Sequence, residues 1–490
     1  MIQDNKRIGI RNKKVTRNAD LENTLSRHGQ TISKLRQSLH GRLILPADAG
    51  YGEARVIFYA GFEHQPAMIA RAADAEDIAR VVSLAGETGL QLAVRSGGHS
   101  LAGHSLTEGG IVLDLRDMKA LDINPNNRTA WVESGMTTGE YTSAADAYGL
   151  ATGFGDTATV GLGGLTLGGG IGYLSRKHGL TIDNLLAAEM VTADGKLLHV
   201  DGESHPDLFW AIRGGGGNFG VATRFQFRLH EAGEVAGGML FLPATPEVIA
   251  GFIAAAEAAP EELSTIANIM PAPPMPFLPV EQHGKLILMA LMVYAGNIKT
   301  GMDAFAPFRK LDKPIADMLR PMRYPEMFPP EQGGFHPMAM GHNMFLNKVD
   351  HEVSQTIVEY LQASDAPMRV TQLRMMGGAI GRVDVHATAF AHRRSRIMVN
   401  LGVFYTGPED QAKRLSWLSD FASTLQQEDQ GAYVNFMGAG SEVRLRAAYP
   451  GQTWERLREI KRRYDPSNLF RLNHNIQPHD EGSDTVSFKH

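Results

Sequence analysis

The stretch GDTATVGLGGLTLGGGIGYLSRKHGL, residues 155–180, carries glycine at 161, 163, 164, 168, 169, 170 and 172. Each glycine removes a Cβ, so the stretch brings many bare backbone N–H groups to one surface. Such groups form anion-binding concavities without help from Lys or Arg, and a diphosphate suits them. Taken alone, the stretch also reads as tight turns in a β-rich domain. Two neighbours share its character: RSGGHSLAGHS at 95–105 and RGGGGNFG at 213–220. Three such tracts in one region point to a long cofactor that carries a diphosphate.

Around these tracts the chain alternates strand and helix. GRLILP reads as a strand, and AEDIARVVSLAGETG as an amphipathic helix with apolar residues at helical spacing. QLAVRSGGH is then a strand running into the first glycine loop. GIVLDL and TAWVESG are further strands, and TTGEYTSAADAYGL is a helix. LLAAEMVTADGKLLHV reads as a hairpin turned at Asp194-Gly195. HPDLFWAIR is a helix and VATRFQFRL an alternating strand. The letters G-x-G-x-x-G occur at Gly215–Gly220, but a helix precedes them and a strand follows. A dinucleotide fingerprint needs the reverse order, so this match is a decoy. No P-loop is present.

Near Glu231-Ala232-Gly233 the glycine-rich texture ends. GGMLFLP, KLILMALMVYAG, MRVTQLRMM and RIMVNLGVFY read as strands. TPEVIAGFIAAAEAAPEEL, VSQTIVEYLQAS and PEDQAKRLSWLSDFASTLQQ read as helices. The expected class is α+β, with sheet and helices segregated in this second part. The Pro/Met-rich runs IMPAPPMPFLPV and PMRYPEMFPPEQGGFHPMAMGHNMF read as loop. TWERLREIKRRY is a helix that stops before Pro466, followed by an extended tail.

Composition narrows the chemistry. The 490 residues exceed what one core usually covers. A net charge of −5 gives no sign of a nucleic-acid or membrane-surface partner. No cysteine is present, which excludes disulfides, thiolate nucleophiles, Cys-ligated metals and iron–sulfur clusters. No apolar run reaches the length of a membrane span. The N-terminal leader is basic and polar, without the apolar core of a signal peptide, so a cytoplasmic location is expected. No metal is expected: His99 and His104 lack a nearby carboxylate or third histidine.

The run from EHQPAMIARAADAEDIARVV through VRSGGHSLAG, GGIVLDL, VGLGGLTLGGGIGYLSRKHGLTIDNL, VTADG and HPDLFWAIRGGGGNFGVATRFQF to YDPSNLFRLNHNIQP resembles the FAD-linked oxidases of the vanillyl-alcohol oxidase/PCMH superfamily. The resemblance falls in the berberine-bridge-enzyme-like branch. It covers roughly residues 40–478 and is dense between 64 and 230. It implies a PCMH-type FAD-binding domain over 40–233, a substrate-binding α+β domain over 234–440 whose antiparallel sheet covers the flavin, and a C-terminal segment, 441–490, returning to the first domain. Residues 1–39 remain as leader and short helix.

The resemblance also assigns roles. The histidine of R-x-G-G-H, here His99, is the one that bonds the flavin 8α carbon in the family, and such a bond needs the neutral imidazole that His supplies near pH 7. Arg95, Ser96, Gly97, Gly98, Ser100 and His104 complete that loop, with Gly97 and Gly98 expected to let backbone approach the ring and diphosphate. Asp156, Thr157, Val160, Gly161, Gly163, Gly164, Gly168, Gly169, Gly170 and Gly172 are expected around the cofactor, with Gly220 and Val221 beyond them. Asn473 and Asn475 match tail asparagines that approach the ring. Many relatives add a second tether through a cysteine in C-x-x-V-G. Thr157 holds that position here, so FAD is expected to be monocovalent. The missing bond turns the expectation away from oligosaccharide substrates.

On the substrate side, strand alternation puts Val370, Gln372, Arg374 and Met376 on one face. A nicotine-oxidising relative has a lysine and a carboxylate there, so amine oxidation by that residue set is not expected. Arg374 either binds a substrate anion or forms an internal ion pair. Tyr405 matches a family aromatic near the flavin and is a candidate to orient a substrate or take its proton. Tyr173 is a second candidate, or packing. The methionines of 318–344 are either pocket lining or core.

The implied reaction moves hydride from a small alcohol, amine or ring carbon to flavin N5, from about 3–3.5 Å, and then reduces O₂ to H₂O₂. Two alternatives stand beside it: a dehydrogenase or natural-product tailoring enzyme, and a non-catalytic flavin-fold binding protein. Monomer and homodimer are both compatible with the sequence.

Overall fold

The computed structural model describes residues 21 to 478 except 22 and 330–333. The first twenty residues, which hold most of the expected basic leader, lie outside the described residues, as do the last twelve.

The first sheet holds β1 (Arg42–Ile44), β2 (Met68–Arg71), β3 (Leu92–Arg95) and β4 (Ile111–Asp114), in the order β1-β2-β4-β3. β1 runs antiparallel to β2, and β2, β4 and β3 are parallel. The helix Ala75–Thr88 links β2 to β3 and covers the sheet with Ile78, Val81, Val82 and Ala85, all fully buried. Asp74 caps its start by accepting from the Asp77 N–H at 2.9 Å, and Gly89 ends it in the left-handed region.

The second sheet is antiparallel. It holds β5 (Leu121–Asn124), β6 (Thr129–Glu133), β8 (Leu185–Val191), β9 (Leu197–Asp201) and β10 (Val221–Arg228), ordered β5-β6-β10-β8-β9. The β8–β9 hairpin turns at Asp194-Gly195 with Gly195 at φ +77°. The helix Thr138–Asp146 starts on a capping box between Thr137 and Glu140. A small pair joins β7 (Leu150–Ala151) to β11 (His230–Glu231).

The third sheet is antiparallel and eight-stranded. Its strands are β12 (Glu234–Pro243), β13 (Leu263–Pro271), β14 (Leu286–Tyr294), β15 (Ala316–Asp317), β16 (Arg320–Arg323), β17 (Ala339–Leu346), β18 (Arg369–Met375) and β19 (Ile397–Phe404). The path runs β15-β12-β14-β13-β18-β19-β17, with β16 also on β12. One face packs against the helices Pro246–Ala258, His351–Ala363 and Pro408–Leu425 through Leu373, Val399, Leu401, Phe252, Ile357 and Phe421. The alternate residues, among them Arg374, Met398 and Phe345, face the first half of the chain. This is the expected α+β architecture, with helices confined to one side of the sheet.

Several strands depart from the sequence reading, among them β16, whose residues from Pro321 lie inside a stretch read as loop and pair with β12. β13 was not expected, because all nine of its residues are buried and show no period-two alternation. β17 lies inside a stretch read as loop. Its Gly341, His342 and Asn343 disfavour strand locally, and eight-residue pairing with β19 overrides that preference. The helix Leu162–Gly168 inside the glycine stretch was likewise unforeseen.

Bonds from the first half lock onto the second. Arg176 Nη1 donates to the Ala256 and Leu263 carbonyls at 2.9 Å each, and Gly170 N–H donates to Tyr433 Oη at 2.7 Å. Among the described residues, no helix is long and apolar enough to cross a membrane.

Candidate functional site

The three glycine tracts meet around one cavity of about 640 Å³. β3 delivers residues 96–105 to its rim, and β4 lies alongside. The first two tracts touch directly. A Cβ on Gly97 would stand 2.2 Å from Gly161 N, and one on Gly161 would stand 2.2 Å from both Gly97 N and Ser96 Oγ. Gly97 therefore serves backbone-to-backbone contact between the tracts as well as lining the cavity. Ser96 Oγ donates to Ser134 O at 2.6 Å and accepts from Gly163 N–H at 3.2 Å, which fixes the loop on the helix start. By contrast, a Cβ on Gly164 or Gly217 would meet nothing within 4 Å, and both glycines line the cavity.

The lining includes Ser96, Gly97, Gly98, His99, Ser100, His104, Asp156, Thr157, Val160, Gly161, Gly163, Gly164, Gly170, Gly220, Val221 and Asn473. Eight other expected site residues lie outside it. Arg95 is 1% exposed and donates from Nη2 to Asp114 Oδ2 and to Ala54 O, each at 2.6 Å. It braces the sheet and does not reach the cavity. Gly168 and Gly172 are packing glycines, since a Cβ there would strike Asn435 Oδ1 at 1.9 Å or Phe154 O at 1.6 Å. Gly169 adopts φ +139° beside Tyr433. Asn475 is not in the lining, although its Oδ1 is buried without a partner.

The expected substrate trio, Gln372, Arg374 and Tyr405, also stands outside the lining. Arg374 takes the internal option. It is 3% exposed, with Nη2 2.5 Å from Asp156 Oδ2 and Nε 2.9 Å from Gln372 Oε1. Gln372 in turn donates to Asn268 Oδ1 at 2.8 Å. Both side chains are thus used within the protein. Tyr405 follows β19, its N–H bonded to Met338 O at 3.0 Å. Burial raises its phenol above the ordinary range, so it stays protonated at neutral pH. Tyr173 is fully buried and edge-on to Phe328, as packing requires.

His99 stacks on Phe58 at 4.3 Å between ring centroids, and its Nε2 lies 3.0 Å from Thr159 Oγ1. Burial pushes its pKa down to about 4, against a smaller upward pull from the Thr159 backbone, so the ring is neutral at pH 7. His104 and His474 meet edge-on at 4.9 Å. Burial takes the first down to about 3 and the second to about 4.

Sequence reasoning passed over several lining residues. Phe58, Tyr59 and Phe335 form one aromatic side, and Asn218, Asn400, Tyr433, Asn435 and Phe436 add polar and aromatic groups. Asn218 sits in the third glycine tract, where its amide donates to Gly215 O and His474 O while Oδ1 accepts from Ile476 N–H. It clips the tail to the glycine loop. From the large sheet, Asn400 alone among the described residues enters the lining, and its Oδ1 is buried without a partner. Asn473 Oδ1 is likewise orphaned, while its amide donates to Gly217 O and Phe470 O.

These features suit a flavin dinucleotide. Bare backbone lines the cavity, amide oxygens there await donors, and a neutral imidazole stands at the rim.

Comparison with known proteins agrees. A model described as "FAD binding domain" matches residues 66–201, and one described as "Berberine and berberine like" matches 432–477. An uncharacterized FAD-linked oxidoreductase of Bacillus subtilis, YgaK, is 31% identical over 461 residues, covering 90% of this chain and 98% of the relative. (R)-6-hydroxynicotine oxidase of Paenarthrobacter nicotinovorans is 29% identical over 462 residues, covering 91% and 98%. The crystal structure of 6-hydroxy-D-nicotine oxidase from Arthrobacter nicotinovorans superposes with a TM-score of 0.80 at 25% identity, over 90% of this chain and 99% of that one.

Proposed function

We propose that this chain, which belongs to the berberine-like family of FAD-linked oxidoreductases, is an oxidase that carries FAD on a single bond to His99 and passes electrons from a small organic substrate to O₂. The observation that carries this reading is His99 itself. It lines the cavity, its ring is held between Phe58 and Thr159, and burial keeps it neutral.

FAD supplies the redox step, and the protein supplies position and surroundings. At the helix start, Leu162 and Gly163 N–H are taken by Met136 O and Ser96 Oγ, so Gly164, with open space at its Cα, and the loop at 216–220 offer the backbone surface for the diphosphate. Asn473 and Asn400 offer amide groups to ring or substrate. Phe58, Tyr59 and Phe436 line the cavity, with the exposed Phe335 at its mouth, and favour a substrate with apolar or aromatic surface. Asp156, the one carboxylate in the described lining, is held by Arg374. Tyr405 remains protonated. No strong base therefore stands in the described lining, which favours a neutral donor whose proton leaves to water or to a neutral hydroxyl or imidazole. The N-terminal FAD-binding part and the sheet-bearing part are proposed to divide at about residue 233, with the tail after 441 closing the first.

The test is a peroxide-coupled screen of alcohols, amines, sugars and phenolics with the purified protein, followed by anaerobic reduction and mixing with air. An oxidase yields about one peroxide per substrate consumed and reoxidises fast. Slow reoxidation with turnover only on artificial acceptors would make it a dehydrogenase instead.

A further inference from the structure

His99 is gripped from two sides. Phe58 lies nearly parallel to the imidazole, 21° between planes, and is itself pinned by its N–H to Gly98 O at 3.1 Å and by Phe335 edge-on at 6.4 Å. Across the ring, Thr159 meets Nε2 through Oγ1. Thr159 belongs to the second glycine tract, whose Gly161 touches Gly97. The imidazole position is therefore set by the same contact that assembles the cavity.

We infer that Thr159 is a positioning residue for attachment of the cofactor, holding His99 as the Nε2–H tautomer so that Nδ1 presents its lone pair to the cavity. The inference rests on the tether proposed above. An imidazole has two inequivalent nitrogens, and the bond made by one decides which tautomer the other presents. With Nε2–H donating to Thr159, Nδ1 is the nucleophile.

In the step, an Nδ1–C8α bond forms and a C8α–H bond breaks. The methyl proton and the Nε2 proton leave to solvent. The electron pair of the broken bond stays in the ring system, which is reduced by two electrons. Dioxygen then takes up that pair with two protons as hydrogen peroxide. Positive charge gathers on the imidazole as the bond forms, and Thr159 oxygen, accepting from Nε2–H, stabilises it. Phe58 keeps the ring plane from rotating while this happens.

The test compares wild type, Thr159→Val, Thr159→Ser and Phe58→Leu as purified holoproteins. Total flavin is read by absorbance, tethered flavin by what remains in the acid-precipitated pellet, and the rate of tethering by the growth of pellet flavin when the same proteins, produced under riboflavin limitation and so with open sites, are incubated with FAD in air. Thr159→Val should retain bound FAD yet tether it about tenfold more slowly, as expected for loss of one hydrogen bond to a charged group. Thr159→Ser should restore the rate, and Phe58→Leu should slow tethering without abolishing it. Tethering at the wild-type rate in Thr159→Val overturns the inference. So does loss of all flavin in that variant, since the hydroxyl would then be a binding group. A wild type with no tethered flavin defeats the proposal of the preceding subsection, which is a separate outcome.

Discussion

Arg374 on β18 reaches across to Asp156 in the second glycine tract, with Nη2 2.5 Å from Oδ2, and ties the large sheet to the rim of the cavity. The arginine is 3% exposed and the carboxylate 17%. Phe436 lies under the guanidinium at 5.0 Å. Removing one member leaves the other charge without its partner. Arg374→Ala should therefore destabilise the protein by about 3–5 kcal/mol, and Arg374→Met combined with Asp156→Leu should cost much less than the two single changes added. Thermal midpoints of wild type, Arg374→Ala, Arg374→Met, Asp156→Leu and the double variant check this. Additive losses would show that the pair acts as two unrelated residues.

A second prediction separates packing glycines from cavity glycines. Gly97→Ala forces a Cβ to within 2.2 Å of Gly161 N. It should lower stability by about 3 kcal/mol, the upper part of the range for overpacking, and lose FAD with the fold. Gly164→Ala meets nothing within 4 Å. Its melting temperature without cofactor should match wild type, while retention of FAD falls because the methyl group stands at a surface the cofactor is proposed to use. Equal melting of both variants would contradict this assignment.

How much of this was legible in residues is plain from particular elements. The helix Ala75–Thr88 was readable because its apolar spacing, its Asp74 cap and its Gly89 stop agree. The β8–β9 hairpin was readable from Asp194-Gly195. The loop at 95–105 was readable because glycines announce close approach. β13 was not, since a strand buried on both faces has no period. Asn400 was not, because only strand register decides which amide of the sheet reaches the cavity. Arg95 looked like a cofactor ligand in sequence and proved to be held by Asp114, a distinction that needs the fold of β3 against β4.

pH provides a third prediction. Burial lowers the folded-state pKa of His230, His342 and His474 to about 4, and of His104 and His178 to about 3. In the unfolded chain these groups bind protons near 6.5. As pH falls below 6.5, the unfolded chain binds more protons than the folded one, so stability falls, and this continues down to about 3–4. The melting temperature should be flat from pH 8 to 7 and decline steeply between 6.5 and 5, before most carboxylates titrate. A constant melting temperature across that window would show that these imidazoles are solvated in solution.

The account rests most directly on where the flavin is fastened. Wild-type protein should be precipitated with acid, washed and digested, and the flavin-bearing peptide sequenced by mass spectrometry. The prediction is a yellow pellet, one adduct of FAD mass on the peptide at His99, and no adduct in His99→Ala even where that variant still binds FAD reversibly. Colour that washes entirely into the supernatant, or an adduct at a residue other than His99, would contradict it.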